Sequence, residues 1–152
     1  VVRFSTVPDS SMSPFHKTVN MRLPLITRGM GLAYFAFTPP EEFELIVDML
    51  RNSNDPEDSL AHHPERLKKL VAQVRRQGYA VRSPHVEPKN SNTIAVPILN
   101  ESGRVIASFG LTYFTSAFPS LSEACERYVP VLQAASQEIS QDLARINKSS
   151  LA

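Results

Sequence analysis

Thr93-Ile94-Ala95-Val96-Pro97-Ile98-Leu99, then Asn100-Glu101-Ser102-Gly103, then Arg104-Val105-Ile106-Ala107-Ser108-Phe109-Gly110-Leu111-Thr112-Tyr113, reads as a β-hairpin. Two runs rich in β-branched and aromatic residues flank four residues of turn chemistry, the pattern of antiparallel strands joined by a short loop. Symmetric closure of that loop sets Ile94 against Phe109, Val96 against Ala107 and Ile98 against Val105, an apolar face suited to a core. Side chains alternate with period two, so the other face carries Thr93 across from Gly110, Ala95 across from Ser108 and Ser91 across from Thr112. That face is small and mildly polar and cannot fill space by itself. Either a helix lies very close against it, or it floors a cavity for a small polar ligand.

Upstream of the hairpin, the run from Gly29 to Phe37 is apolar all round and predicts a short buried helix that starts at its glycines. Thr38-Pro39-Pro40-Glu41 supplies an N-cap hydroxyl, a proline at the first helical position and a glutamate at the third. This capping box predicts a helix from Pro39 to about Arg51 with Phe43, Ile46, Val47 and Leu50 on one face. A polar loop follows. Pro64-Glu65 then starts a helix with a stripe of Leu67, Leu70, Val71 and Val74, closed by Gly78, before Tyr79-Ala80-Val81 begins a strand. From Leu121 to about Ile146, apolar residues recur at three- and four-residue steps, one long amphipathic helix with Pro130 as a candidate kink. Residues 1–6 read as a strand, and a second strand is expected to end near Arg22-Leu23-Pro24-Leu25.

The 152 residues carry 16 Lys+Arg against 15 Asp+Glu and 42% hydrophobic residues, enough for one globular domain with its own core. A net charge of +1 gives no overall attraction to a phosphate backbone, so nucleic-acid binding needs a local patch or a further part of the protein. The single cysteine, Cys125, cannot form an intramolecular bridge, and no apolar run approaches the about 18 residues of a membrane span. The chain reads as a soluble protein of the cytoplasm. It opens on Val1-Val2-Arg3-Phe4 with no initiator Met or signal segment, the expectation for a fragment of a longer protein.

Candidates for chemistry are few. Cys125 lies on the apolar stripe of the last helix and reads as a small buried hydrophobe. His62-His63 has no cysteine or helical i,i+4 partner, so no metal is expected, and His16 and His85 activate no evident nucleophile. Arg66, Lys68, Lys69, Arg75 and Arg76 read as the solvated back of a helix. There is no triad, no carboxylate pair, no phosphate loop and no cofactor motif. Arg28-Gly29-Met30-Gly31 stands apart, because glycines at a helix N-terminus leave N–H groups open to an anion and an arginine grips a carboxylate bidentately. Arg28 is either such a clamp or an ordinary ion-paired residue. Together with the hairpin face it suggests a small carboxylic acid.

Arg22-Leu23-Pro24-Leu25, Gly29-Met30-Gly31 opening an apolar helix, and Phe37-Thr38-Pro39 together resemble the corresponding stretch of the isocitrate lyase regulator (IclR) family of transcription factors. Gln77-Gly78-Tyr79-Ala80, the strand from Thr93 to Ile98, Ser102 to Ala107 and the long terminal helix continue the resemblance, in order, over about residues 1 to 145. Tyr113-Phe114-Thr115-Ser116-Ala117 is similar to the branch that regulates aromatic-acid catabolism, of the hydroxyphenylpropionate type.

The resemblance implies an α+β fold over residues 1–152, related to GAF, PAS and profilin-like domains, with an antiparallel sheet flanked by helices and a long C-terminal helix. It implies an effector-binding domain without catalytic activity, normally fused to an N-terminal winged helix-turn-helix that alone contacts DNA. Homodimers or homotetramers are expected, with no membrane partner. Gly29 and Met30 match backbone positions that hold the effector's acid group, Ser83 a polar wall, and Thr93, Gly110 and Thr112 the floor. Family members that bind small oxo-acids tend to carry cysteine at Thr93 and serines at Gly110 and Thr112, so a larger or aromatic acid fits better here. Arg28, where a small residue is usual, either adds a clamp or closes part of the cavity. The expected ligand-binding set is therefore Arg28, Gly29, Met30, Ser83, Thr93, Ala95, Ser108, Gly110 and Thr112. A GAF-like signalling module without DNA-binding partner, and an enzyme using the same pocket, are the rival readings.

Overall fold

A computed structural model describes residues 20–149. In chain order these form α1 (Gly29–Ala36), α2 (Pro40–Arg51), a 3-10 segment over Pro56–His62, α3 (Pro64–Gln77) and β1 (Ala80–Val81). There follow β2 (Ser91–Leu99), β3 (Val105–Phe114), a 3-10 turn over Thr115–Ala117 and α4 (Leu121–Ser149). The strands make an antiparallel sheet in the order β1-β2-β3, an α+β fold with a long C-terminal helix.

Alternation along β2 divides the interior in two. Ala95, with Ala80 of β1, faces a core built by α1, α2 and α3, where Ile26, Phe35, Val47, Leu67 and Val74 are buried. Ile94 and Val96 face the opposite way, against Ala124, Cys125 and Leu132 of α4. Tyr113, Phe118 and Tyr128 close that second core, with Tyr113 and Phe118 packed edge to face at 5.4 Å. The all-round apolarity of α1 follows from its place, because it touches the whole sheet on one side and α3 on the other. Arg75 is exposed, as expected, and takes a further role. Its guanidinium donates to the carbonyls of Ala36 and Thr38, where α1 leaves its last acceptors unfilled.

The hairpin register is two residues from the expected one: Val96 faces Phe109, Ala95 faces Gly110, Thr93 faces Thr112 and Ile98 faces Ala107. Asn100 is the cause. Its N–H donates to the Arg104 carbonyl, and its side-chain oxygen accepts from the N–H groups of Ser102 and Arg104. The loop therefore shrinks to Glu101-Ser102-Gly103, with Gly103 at φ 77°, where glycine is favoured. Leu99 then pairs with Val105, which leaves Ile106 as a bulge. From Ala107 to Thr112 the two-residue shift keeps side chains on their predicted faces.

The capping box at Thr38 does not form. The Thr38 hydroxyl is buried and donates to the Phe35 carbonyl at 2.8 Å, and Pro39 takes the N-cap position instead. The polar loop after α2 contains the 3-10 segment, started by Asp55 accepting from the Glu57 N–H at 2.9 Å and holding Asp58 and Ala61 buried. The strand expected to end near Arg22–Leu25 is replaced by irregular chain and a turn. That turn buries Ile26 and lays the Leu25 backbone across Gly31. The strand expected over residues 1–6 lies outside the described residues. α4 continues through Pro130.

β1 is short, so β2 has a free edge beyond Ala95. Pro97 removes a donor from that edge, and its carbonyl accepts from the buried Ser136 hydroxyl of α4 at 2.6 Å. A Cβ on Gly31 would sit 2.5 Å from the Leu25 carbonyl oxygen and 2.9 Å from its Cα, both backbone atoms that cannot yield singly. Gly31→Ala is therefore expected to lower stability by about 1–3 kcal/mol in urea unfolding, whereas an unchanged midpoint would contradict this packing.

Candidate functional site

α1 has eight residues and no side-chain cap, and Arg28 at its N-cap is extended, so the first amides of the helix are not taken by a capping side chain. They point toward the edge of the sheet where β1 ends. Gly29 is needed there: a Cβ would stand 3.0 Å from the Thr93 carbonyl oxygen, 3.3 Å from the Thr93 methyl and 3.4 Å from the Arg82 nitrogen. The Ser83 N–H donates to the Thr27 carbonyl at 2.9 Å, tying the end of β1 to the approach to α1.

On the floor, the Thr93 and Thr112 hydroxyls meet at 2.9 Å. Thr93 is buried and Thr112 exposed, so the pair forms a short polar ladder from inside to solvent. Farther along, α1 closes on the sheet. The Ser108 hydroxyl donates to the Met30 carbonyl at 2.8 Å and Ala95 is fully buried, while a Cβ on Gly110 would run into the Ile94 carbonyl and Ala95 of the neighbouring strand β2. Of the two alternatives for the small face, close packing by a helix holds at Ala95 and Ser108, and Gly110 is crowded by β2 itself. The open polar end is at Thr93 and Thr112.

Two arginines converge on that end. Arg28 donates to the Glu57 carboxylate at 2.7 Å and to the Glu87 carbonyl at 2.7 Å, while its Nε–H, shielded from solvent, meets no acceptor among the described residues. Glu57 also accepts from the Thr27 hydroxyl. Arg82, which the sequence reading did not include, donates to the Pro88 carbonyl and, at 3.4 Å, to the Ser91 hydroxyl. Burial first, and the nearby charge of Arg28 second, pulls the Arg82 pKa below its ordinary value, while Glu87, Glu57 and Tyr113 act the other way. Its position was legible in principle, because period two from Ala80 places Arg82 on the same face as Thr93 and Ala95. Glu57 had no such signal, since it reaches Arg28 from the 3-10 segment. The structure thus brings together Arg28, Gly29, Thr93 and Thr112 with Ser83 beside them. The Met30 carbonyl serves packing and its residue is exposed, Ala95 and Ser108 lie under α1, and Gly110 packs against Ile94 and Ala95 of β2.

Three grooves of about 520, 360 and 530 Å³ run along α4, and none of the nine predicted residues lines them. Cys125 borders the groove of about 520 Å³. Burial pushes its thiol pKa up, against a hydrogen bond from Tyr79, which is the reverse of a nucleophile's environment. Among the described residues no cluster of His, Cys, Asp and Glu could hold a metal ion, and His16 lies outside them. No described helix is long and apolar enough to cross a membrane.

Comparison with known proteins agrees with this architecture. The family model of the bacterial transcriptional regulator IclR C-terminal domain matches residues 7–141. The chain is 35% identical over 129 residues to the Pca regulon regulatory protein of Pseudomonas putida, covering 83% of this chain and 42% of that protein. It therefore spans about two fifths of that regulator's length. It is similar in structure to the Thermotoga maritima IclR, with a TM-score of 0.67 at 24% identity, covering 86% of this chain and 51% of that one. It is also similar to the inducer-binding domain of the PobR transcription factor from Acinetobacter, a double mutant solved with 3-hydroxybenzoic acid. There the TM-score is 0.65 at 19% identity, covering 90% of this chain and 77% of that one. At these identities the structural likeness is one of fold. The matched family and relatives are transcriptional regulators, not enzymes.

Glu57 anchors both Thr27 and Arg28, and Arg28 is only 16% exposed. Glu57→Ala is expected to cost about 1–3 kcal/mol by stranding a part-buried guanidinium, and adding Arg28→Met should recover at least half of that loss in urea unfolding. Simple additivity of the two losses would contradict the coupling.

Proposed function

The chain belongs to the IclR C-terminal family of bacterial transcriptional regulators, and from that premise we propose that it is an effector-sensing domain whose ligand is a small, aromatic carboxylic acid. The observation that carries this reading is the unfilled Nε–H of Arg28 at the uncapped start of α1, beside the Thr93–Thr112 hydroxyl pair. An acid group accepts from Arg28 and from the α1 amides, and a ring hydroxyl or edge lies along the threonines. The similarity to the PobR inducer-binding domain solved with 3-hydroxybenzoic acid supports the aromatic class.

Regulation follows by linkage. Arg28 joins the start of α1 to the Pro56–His62 segment through Glu57 and to the 83–90 loop through the Glu87 carbonyl. A ligand that recruits Arg28 favours one arrangement of these three segments. It changes operator affinity by no more than its differential binding to the two arrangements. DNA contact is assigned to a winged helix-turn-helix in the full-length regulator, which works in the cytoplasm as a homodimer or homotetramer.

A thermal-shift screen with oxo-acids, phenylpropionates, hydroxybenzoates and their amides tests the reading, since a ligand specific for the folded state raises the midpoint. At least one aromatic acid is expected to stabilise the chain while its amide does not, and Thr93→Val should reduce the shift. Silence from every acid, or equal shifts from acid and amide, would overturn it.

A further inference from the structure

Resting on the homo-oligomeric part of that reading, we propose that a second copy of this chain docks on the layer outside α1, setting the acidic, apolar face of α2 against the basic face of the other copy's α3. Leu45 and Met49 stand one turn apart on α2 and are 67% and 73% exposed, more than any other large apolar residue described. Beside them Glu41 and Glu44 are exposed and form no ion pair among the described residues. α2 carries four acids and one base, so two copies of α2 laid together repel each other. α3 carries five bases and one acid, and its exposed Arg66, Lys69 and Arg76 pair with no carboxylate among the described residues. Ala72 is exposed one turn from Lys68, Lys69 and Arg76, a shallow socket where a leucine or methionine packs against the aliphatic stems of the cations.

The topology sets the two faces in one layer. α1 takes the contacts with all three strands, and α2 and α3 join the core through it, Phe43 stacking on Phe35 at 4.6 Å and Arg75 reaching the carbonyls of Ala36 and Thr38. The Pro56–His62 segment packs against both helices. A two-fold axis through this layer makes each contact twice, α2 on α3 and α3 on α2, the self-complementary form of a closed dimer. The apolar centre supplies affinity, while the flanking charges set the orientation and speed the encounter. Because those charges are exposed, salt screens them.

Sedimentation equilibrium of the 152-residue chain over about 1–500 μM should show a reversible dimer that weakens as salt rises. Glu41→Lys with Glu44→Lys in one chain, and Lys69→Glu with Arg76→Glu in another, should each weaken self-association about tenfold or more, while an equimolar mixture of the two recovers to within about threefold of wild type. The mixture restores both contacts, since each altered face then meets its opposite. Leu45→Ser with Met49→Ser should weaken the dimer about as much at high salt as at low, a second readout should a charge variant fold poorly. A wild-type chain that stays monomeric throughout overturns this interface and, for this chain, the homo-oligomeric reading with it. A dimer indifferent to all these substitutions, or a mixture no stronger than its parts, overturns the interface and leaves a homo-oligomer standing. Wild-type chain that remains monomeric and binds duplex DNA through Lys69 and Arg76 makes α3 a nucleic-acid surface and overturns it too.

Discussion

The distance between α1 and the sheet governs this fold. Gly29 lies against the Thr93 backbone, Gly31 under the Leu25 backbone, and Ala95 beneath the helix, so α1 approaches closer than residues with larger side chains would allow. That approach puts uncapped helical amides next to the end of β1 and sends the chain before α1 back over it in a turn. It also leaves little room in the middle of the sheet, so that the polar groups of this face, the Thr93–Thr112 hydroxyl pair among them, gather at its margin.

Two guanidiniums, of Arg28 and Arg82, share the margin with the carboxylates of Glu57 and Glu87. Glu57 comes from a segment anchored elsewhere: Asp55 and Asp58, on either side of it, are bound by Arg22. Ion pairs thus connect Arg28, through Glu57 and its neighbours in the 3-10 segment, to Arg22 ahead of α1.

Periodicity made most of the elements legible. Alternation in β2 and β3 identified both faces of the sheet, and the 3.6-residue stripes identified α2, α3 and α4 with Gly78 as a cap. What it missed depended on side chains acting on distant backbone. Asn100 tightened the hairpin loop and shifted the register, and Thr38 turned its hydroxyl back to Phe35 and so gave up the cap. Arg75, which looked like solvated surface, capped α1, and no local pattern announces a bond between the 3-10 segment and Arg28. The site was half legible for the same reason. Gly29 and the threonines follow from spacing, whereas the charges that surround them come together only through the tertiary fold.

Arginine side-chain resonances offer the most direct test. In a titration of the chain with 3-hydroxybenzoate followed by proton–nitrogen correlation spectra, the Nε–H signals of Arg28 and Arg82 and the amide of Gly29 should move together and saturate. Perturbations confined to Tyr79, Val81, Leu121, Cys125 and Val129, which line one groove along α4, would contradict a carboxylate site at the start of α1.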